Sequence, residues 1–338
     1  MILMFPNPKN KRSTGVLYLQ SMLYDFFNHT TAAPSRFEII KRFFSIGKYS
    51  KNDDVAVFLP LSMFVFFARK GDIIILPDDS IRSISSVAAL RLKRKSYIKF
   101  FVQILRLFAT YIIFYVKKHV IYLTVSVDDL SSLRKQFPKI RIEYLPHPIQ
   151  AATNSDAISQ SSDKLSVICF MNLQEHYSVD PEVFFSDGND GTAGVFFENL
   201  RKIYFHGAYS EQWLLAFQKK YPRLNAVAVS FVDDFDAFFS SIDLIVVPLA
   251  AGAGIKNIVL NSLYRNKIIV GTSEAFSGLP VHLTKGITVS NFSDLLSLLN
   301  DDGVLLNDVC VIKDLLRDYV LSHNSEEAFH RVLNKMIN

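Results

Sequence analysis

Two cysteines, Cys169 and Cys310, are all that 338 residues contain. Such scarcity excludes a disulfide framework and a zinc cluster built from thiolates, and it fits a reducing cytoplasm. The eight histidines show no His-Glu-x-x-His or comparable spacing, so no metal and no other cofactor is expected. The longest apolar run, residues 100–116, falls short of the roughly 20 residues a spanning helix needs and is broken by Gln103 and Arg106, so it is expected not to cross a bilayer. Residues 1–5 are apolar but too few for a signal peptide, and their basic neighbours follow rather than precede them; a first buried strand is expected there.

What is present is apolar and aromatic. Hydrophobic residues make up 49% and charged residues 20%, with 29 Phe, which describes a folded chain long enough for two domains. The net charge of +5 hides a division: residues 1–150 hold 23 Lys+Arg against 10 Asp+Glu, and residues 151–338 hold 14 against 22. One half is thereby suited to an anionic surface or polymer, although a merely solvated basic face has the same composition. No recognised nucleic-acid module accompanies the basic half, and nucleic acid is not an expected partner.

Residues 151–164 form a long polar stretch without aromatics, which marks a linker and coincides with the change of charge sign. On either side, short Val/Ile/Leu/Phe runs alternate with helical patterns, the signature of parallel βαβ units. Strands are predicted at 2–5, 55–58, 72–76, 121–125 and 140–144, then at 165–170, 202–206, 226–229, 244–247, 268–271 and 286–289. Helices are predicted at 16–27, 130–136, 210–221, 235–240, 255–264, 292–299 and 326–336. The fold class expected is α/β, with two Rossmann-like domains at 1–150 and 165–338.

The most informative segment runs from Asp243 through Pro248, Gly252, Gly254 and Lys256 to Leu263. A buried strand leads into a glycine-containing loop, and a helix starts at once. Ligands of open α/β sheets bind at the carboxyl ends of strands, and the N–H groups of a helix N-terminus attract anions. Lys256, in the expected first helical turn, can reach a diphosphate. A Gly-x-Gly before a helix also serves plain tight turns.

From Asp243 onward the sequence resembles the C-terminal domain of the retaining GT-B glycosyltransferases of bacterial polysaccharide assembly (group 1, family 4-like). The family's segment is Pro-Leu-x-x-Gly-x-Gly-x-(Lys/Arg)-x-Lys-x-Leu-Glu. Ser230-Phe231-Val232-Asp233-Asp234 is similar to its Gly-Phe-Val-Asp-Asp turn, and Phe170-Met171-Asn172-Leu173 to the turn after its first strand in that domain. Further similarity lies in Gly271-Thr272-Ser273 with Gly278-Leu279, in Val125-Ser126-Val127-Asp128-Asp129 and in Leu145-Pro146-His147-Pro148-Ile149. The resemblance implies a GT-B-like arrangement of two domains facing a cleft, and a nucleotide sugar as donor. Phe231 and Val232 are then expected at the base, and Gly252, Gly254, Ile255 and Lys256 at the diphosphate. Two positions depart from the family: its second Lys is Ile258 here, and its ribose-binding Glu is Asn261. A neutral amide makes a weaker bond to a hydroxyl than a carboxylate does.

In the first domain, Lys11, Arg12 and Gly15 follow the first strand, where the family's loop touches donor phosphates. Asp78 and Asp79 follow another strand and could deprotonate or orient an acceptor hydroxyl; an Asp turn or a helix N-cap, with Ser80 also able to cap, is the structural alternative. His147 and His206 stand at strand ends and are expected to be structural. Arg91, Lys93, Arg94, Lys95 and Lys99 precede an aromatic run, a mixture that suits an anionic membrane surface or else a core helix with a basic start. A glycosyltransferase on the inner face of the cell membrane, acting on a glycan or polyprenyl-linked acceptor, is the expected function. A sugar-nucleotide 2-epimerase lacks its expected carboxylate and histidine set here, whereas Ile258 and Asn261 favour a catalytically silent partner subunit.

Overall fold

In the computed structural model, the residues described are 2–3, 19, 22–23, 56–58, 68, 70–76, 78–149, 165–186, 200–232, 234–298 and 307–337. They form two units. The first takes Met1–Ala88, Ser96–Gln150 and His323–Asn338, and the second takes Ala89–Lys95 and Ala151–Ser322.

The first unit is built on a parallel sheet of five strands, β1 (Ile2–Leu3), β2 (Ala56–Phe58), β3 (Ile73–Leu76), β4 (Ile121–Thr124) and β5 (Arg141–Tyr144), in that spatial order. Alternate side chains of a strand point to opposite faces. Ile73, Ile75, Leu123 and Val125 therefore meet Leu19, Met22 and Leu23 on one side, while Ile74, Leu76 and Tyr122 meet Ile81, Ile113, Phe114 and Leu133 on the other. Helices α1 (Ser80–Lys93), α2 (Tyr97–Val116) and α3 (Val127–Gln136) follow β3 and β4.

The second unit carries β6 (Val167–Phe170), β7 (Lys202–His206), β8 (Ala226–Val229), β9 (Leu244–Val247) and β10 (Ile268–Gly271), all parallel, in the order β10-β9-β6-β7-β8. The chain thus runs outward from β6 to β8, returns, and runs outward again on the other side, which makes a topological switch point between β6 and β9. Its helices are α4 (Pro181–Phe184), α5 (Ser210–Lys220), α6 (Phe235–Ser240), α7 (Asn257–Tyr264), α8 (Val281–Thr284), α9 (Phe292–Ser297) and α10 (Asn307–His323). Part of the aromatic load goes into one cluster: Phe170 stacks on Phe205 at 5.0 Å, and Phe184, Phe185, Trp213, Phe217 and Phe292 pack edge-on or tilted around them. Pairs of this kind contribute about 0.5–1.5 kcal/mol each beyond their buried area.

Three expectations are corrected. The last helix, α11 (Glu326–Ile337), belongs to the first unit, because Phe329 and Leu333 complete the core over β3 and β4. Residues 286–289 do not form a strand: Lys285–Ile287 is a 3-10 turn, and only a bridge from Thr288 to Gly271 touches the sheet. A Cβ on Gly286 would meet the Cδ1 end of Ile312 in α10, so that side chain would have to shift to admit one. Finally, α2 begins at Tyr97 and is 20 residues long, so by length and apolar character it is sufficient to cross a membrane.

Candidate functional site

The candidate site is built on the loop after β9. β9 is fully buried in the middle of its sheet, as a continuous apolar strand between helix-covered faces should be. Beyond Val247 the chain is braced from both sides. Ala250 and Ala251 donate N–H to the carbonyl of Tyr177 at 2.7 and 3.1 Å, and Val179 donates to that of Pro248 at 2.9 Å. From the neighbouring β10 side, the buried hydroxyl of Thr272 accepts from Leu249 N at 3.1 Å and donates to Leu249 O at 2.5 Å. Tyr177 and Ser178, which bridges to Leu249, carried no sequence signal for this role, because their contribution is made by the backbone.

So held, the loop turns at two glycines. Gly252 has φ 135° and Gly254 φ 69°, values that L side chains rarely adopt. Lys256 follows in extended conformation (φ −91°, ψ 123°) as the N-cap residue of α7, one position ahead of the first helical turn where the sequence had placed it. Its carbonyl accepts from Val259 and Leu260, and its ammonium folds back to donate to Ala253 O at 2.6 Å and Gly254 O at 2.8 Å. The outcome is a cation and a helix N-terminus at one point, beside the β6/β9 switch point. Both favour an anionic group. Ile255 and Asn261 are half-buried, the second on α7 itself.

Across the switch point, β6 ends in Met171 and Asn172; Met171 donates to Val246 O at 2.8 Å and Asn172 takes φ 63°. His206, at the end of β7, lies among the rings of Phe235 and Phe238, and burial lowers its pKa. Phe231 and Val232 follow β8. Phe231 is 76% exposed, an unusual position for so large a ring. Parallel strands place these loops at the same end of the sheet as the glycine loop. β8 lies three strand spacings from β9, roughly 14 Å.

In the first unit, Asp79 is fully buried and caps α1: Oδ1 accepts the N–H groups of Ile81 and Arg82, both at 3.0 Å, and its own N–H donates to Asp129 Oδ2 at 3.1 Å. Asp78 is only half-buried, with Ser80 Oγ donating to it at 3.4 Å, so of the two carboxylates it is the one with access to a substrate. His147 is buried, with Nδ1 donating to Pro148 O at 3.0 Å; burial pushes its pKa down to about 4, which holds it neutral. Gly15, Lys11, Arg12 and the 151–164 linker lie outside the described residues.

The basic cluster divides. Arg91 is buried and pairs with Glu175 at 3.0 Å, while Arg94 donates to the carbonyls of Glu175 and, at 2.7 Å, Ser178; both therefore anchor the end of α1 within the second unit rather than face a membrane. Lys93, Lys95 and Lys99 are exposed.

No family model and no curated protein sequence matches the chain. Solved structures do. Anabaena Alr3699/HepE in complex with UDP and glucose matches 99% of this chain over 98% of its own, with a TM-score of 0.59 and 10% identity. A glycosyltransferase from Rickettsia africae ESF-5 matches 99% over 96%, with a TM-score of 0.50 and 9% identity. S. aureus TarM matches 64% of this chain at a TM-score of 0.48 and 11% identity, and the chain spans only 44% of it. At such identities the likeness is one of fold, and the fold is GT-B-like: α/β, with two units each built on a parallel sheet.

Proposed function

We propose that the chain binds a nucleotide sugar in its second unit and transfers the sugar to a glycan or lipid-linked acceptor. The observation that carries this reading is the coincidence of Gly252, Gly254, Lys256 and the N-terminus of α7 at the switch point of the second sheet. HepE, of similar fold, binds UDP and glucose. In glycosyl transfer the bond between the anomeric carbon and the diphosphate oxygen breaks as the acceptor oxygen bonds to that carbon. Negative charge grows on the leaving diphosphate, where backbone N–H groups and an ammonium are the stabilising partners. Phe231 and Val232 would meet the base, and Asn261 the ribose. Asp78 is the candidate to take the acceptor's proton. Retention of configuration rests on the family resemblance alone.

Thermal stabilisation by a panel of nucleotide sugars tests the reading. A donor that binds the folded state raises the melting temperature, and Lys256→Ala should abolish that rise; no stabilisation by any member of the panel refutes it. A silent partner subunit is the second reading, favoured by Ile258 and Asn261. It predicts nucleotide binding without turnover on any acceptor.

A further inference from the structure

The outer face of α2 is apolar from end to end and packs on nothing among the described residues. Ile98, Phe101, Leu105, Phe108 and Ile112 follow one another at three- and four-residue spacing and are 84, 60, 54, 65 and 40% exposed. Only Thr110, Ile113 and Phe114 of this helix are buried. A soluble surface seldom carries a continuous stripe of this kind without an occupant.

Charge indicates which occupant. From Ser80 to Val127 the chain has nine Lys or Arg and no Asp or Glu. Lys99 and Arg106, seven residues apart, lie on one side of the stripe, about 100° and 80° round the helix from Ile98 and roughly 120–140° from the stripe's centre, so their heads reach phosphate groups only by extending long stems along the helix surface. A second copy docking through the same face would bring two purely basic surfaces together, since a two-fold interface opposes like to like. An anionic bilayer offers the complement to both features.

The packing also fixes the orientation. Phe114 is stacked on Tyr122 at 4.8 Å and on Phe137 at 4.7 Å, and Ile113 lies in the same core, so the C-terminal half of α2 is committed to the sheet and cannot be ringed by lipid. Spanning would also leave Arg106 near mid-membrane, the costliest depth for a charge. We propose that α2 lies in the plane of an anionic membrane, with the Ile98–Phe101–Leu105–Phe108–Ile112 stripe in the acyl boundary and Lys99 and Arg106 reaching the headgroups. The proposal is independent of the donor reading.

Flotation of the full chain with vesicles of phosphatidylcholine alone, or of an equal mixture with phosphatidylglycerol, tests it. Wild type should float with the mixed vesicles and only weakly with the neutral ones. Lys99→Gln and Arg106→Gln together should lower partitioning roughly thirtyfold, and Phe101→Ser with Phe108→Ser should remove the salt-resistant part. All four positions are exposed, so the variants should melt with wild type. Tryptophan placed singly by Ile98→Trp, Leu105→Trp or Ile112→Trp should be quenched alike by brominated lipid, whereas a spanning helix would put position 105 much deeper. Equal flotation with both vesicle types, deep burial of position 105 alone, or a lipid-free dimer that Phe108→Ser makes monomeric would each overturn the proposal.

Discussion

A Cβ on Gly252 would stand 3.4 Å from both Cε and Nζ of Lys256, the residue whose ammonium closes the loop on the carbonyls of Ala253 and Gly254. The space above Gly252 is therefore tolerable for a methyl group, but its φ of 135° is not. Gly252→Ala should displace the loop and weaken nucleoside-diphosphate binding. Lys256→Ala removes both the ammonium and its closure of the loop on Ala253 and Gly254, and should weaken binding by about 1.5–3 kcal/mol, as for a hydrogen bond to a charged group. Calorimetric titration with UDP distinguishes the two, and unchanged affinity in Lys256→Ala removes the lysine from the site.

Asn261 sits half-buried on α7, the helix whose N-terminus is proposed to bind the diphosphate. A carboxylate accepts roughly twice as strongly as an amide from a ribose hydroxyl. Asn261→Glu should tighten nucleotide binding, and in an active enzyme it should preserve or raise turnover. Loss of a demonstrated activity in this variant would show that the amide itself is used.

The two neighbouring aspartates should separate cleanly. Asp79 caps α1, so Asp79→Ala should cost about 0.5–2 kcal/mol of stability in urea unfolding. Asp78→Asn should leave stability within error and reduce transfer to acceptor. Equal stability loss in both variants would return Asp78 to a purely structural role.

The division between these two residues illustrates how far the sequence could be read. Asp-Asp-Ser after a strand is compatible with a base and with a cap, and only burial decides. The strands of the second sheet were legible to within a residue or two because buried parallel strands are continuous apolar runs, as Leu244–Val247 is. Residues 286–289, Gly-Ile-Thr-Val, share the β-branched content of a strand, but Lys285–Ile287 takes a 3-10 turn and only Thr288 bridges to the sheet. The glycine loop is legible from its spacing, whereas its supports, Tyr177 O and Val179 N, are main-chain groups that almost any residue would provide. Arg91 and Arg94 are neighbours of Lys93 and Lys95 in sequence, and their fates differ because α1 ends at Lys93 and Lys95 turns at φ 55°, while Arg91 and Arg94 reach Glu175 and Ser178.

His147 makes acid stability a test of its burial. Its folded pKa, about 4, is below the ordinary 6.5, so the unfolded state takes up the proton first. The stabilisation is fully present above about pH 6.5 and is lost as pH falls toward 4. Between about pH 7.5 and pH 5 the stability advantage of wild type over His147→Gln should shrink by roughly 2 kcal/mol. Parallel pH profiles of the two proteins in urea unfolding would mean that His147 reaches solvent in the folded state.

The C-terminal helix supplies the last prediction. Phe329 is fully buried and Leu333 nearly so, in a cluster with Ile73, Ile75, Leu123 and Val125 of the first sheet. Asn324, just before the helix, donates Nδ2–H to His147 O at 3.0 Å, and Ile149 N–H donates to Asn324 O at 2.9 Å, so the chain is tied to the first unit where α11 begins. Phe329→Ala removes a ring from a packed core and should cost about 3–5 kcal/mol, a large fraction of a domain's stability. Because the residue lies late in the chain yet packs in the first unit, hydrogen exchange should quicken in β3 and β4 and stay unchanged in β6 and β9. Faster exchange confined to β6–β10 would place α11 with the second unit and contradict the packing described here.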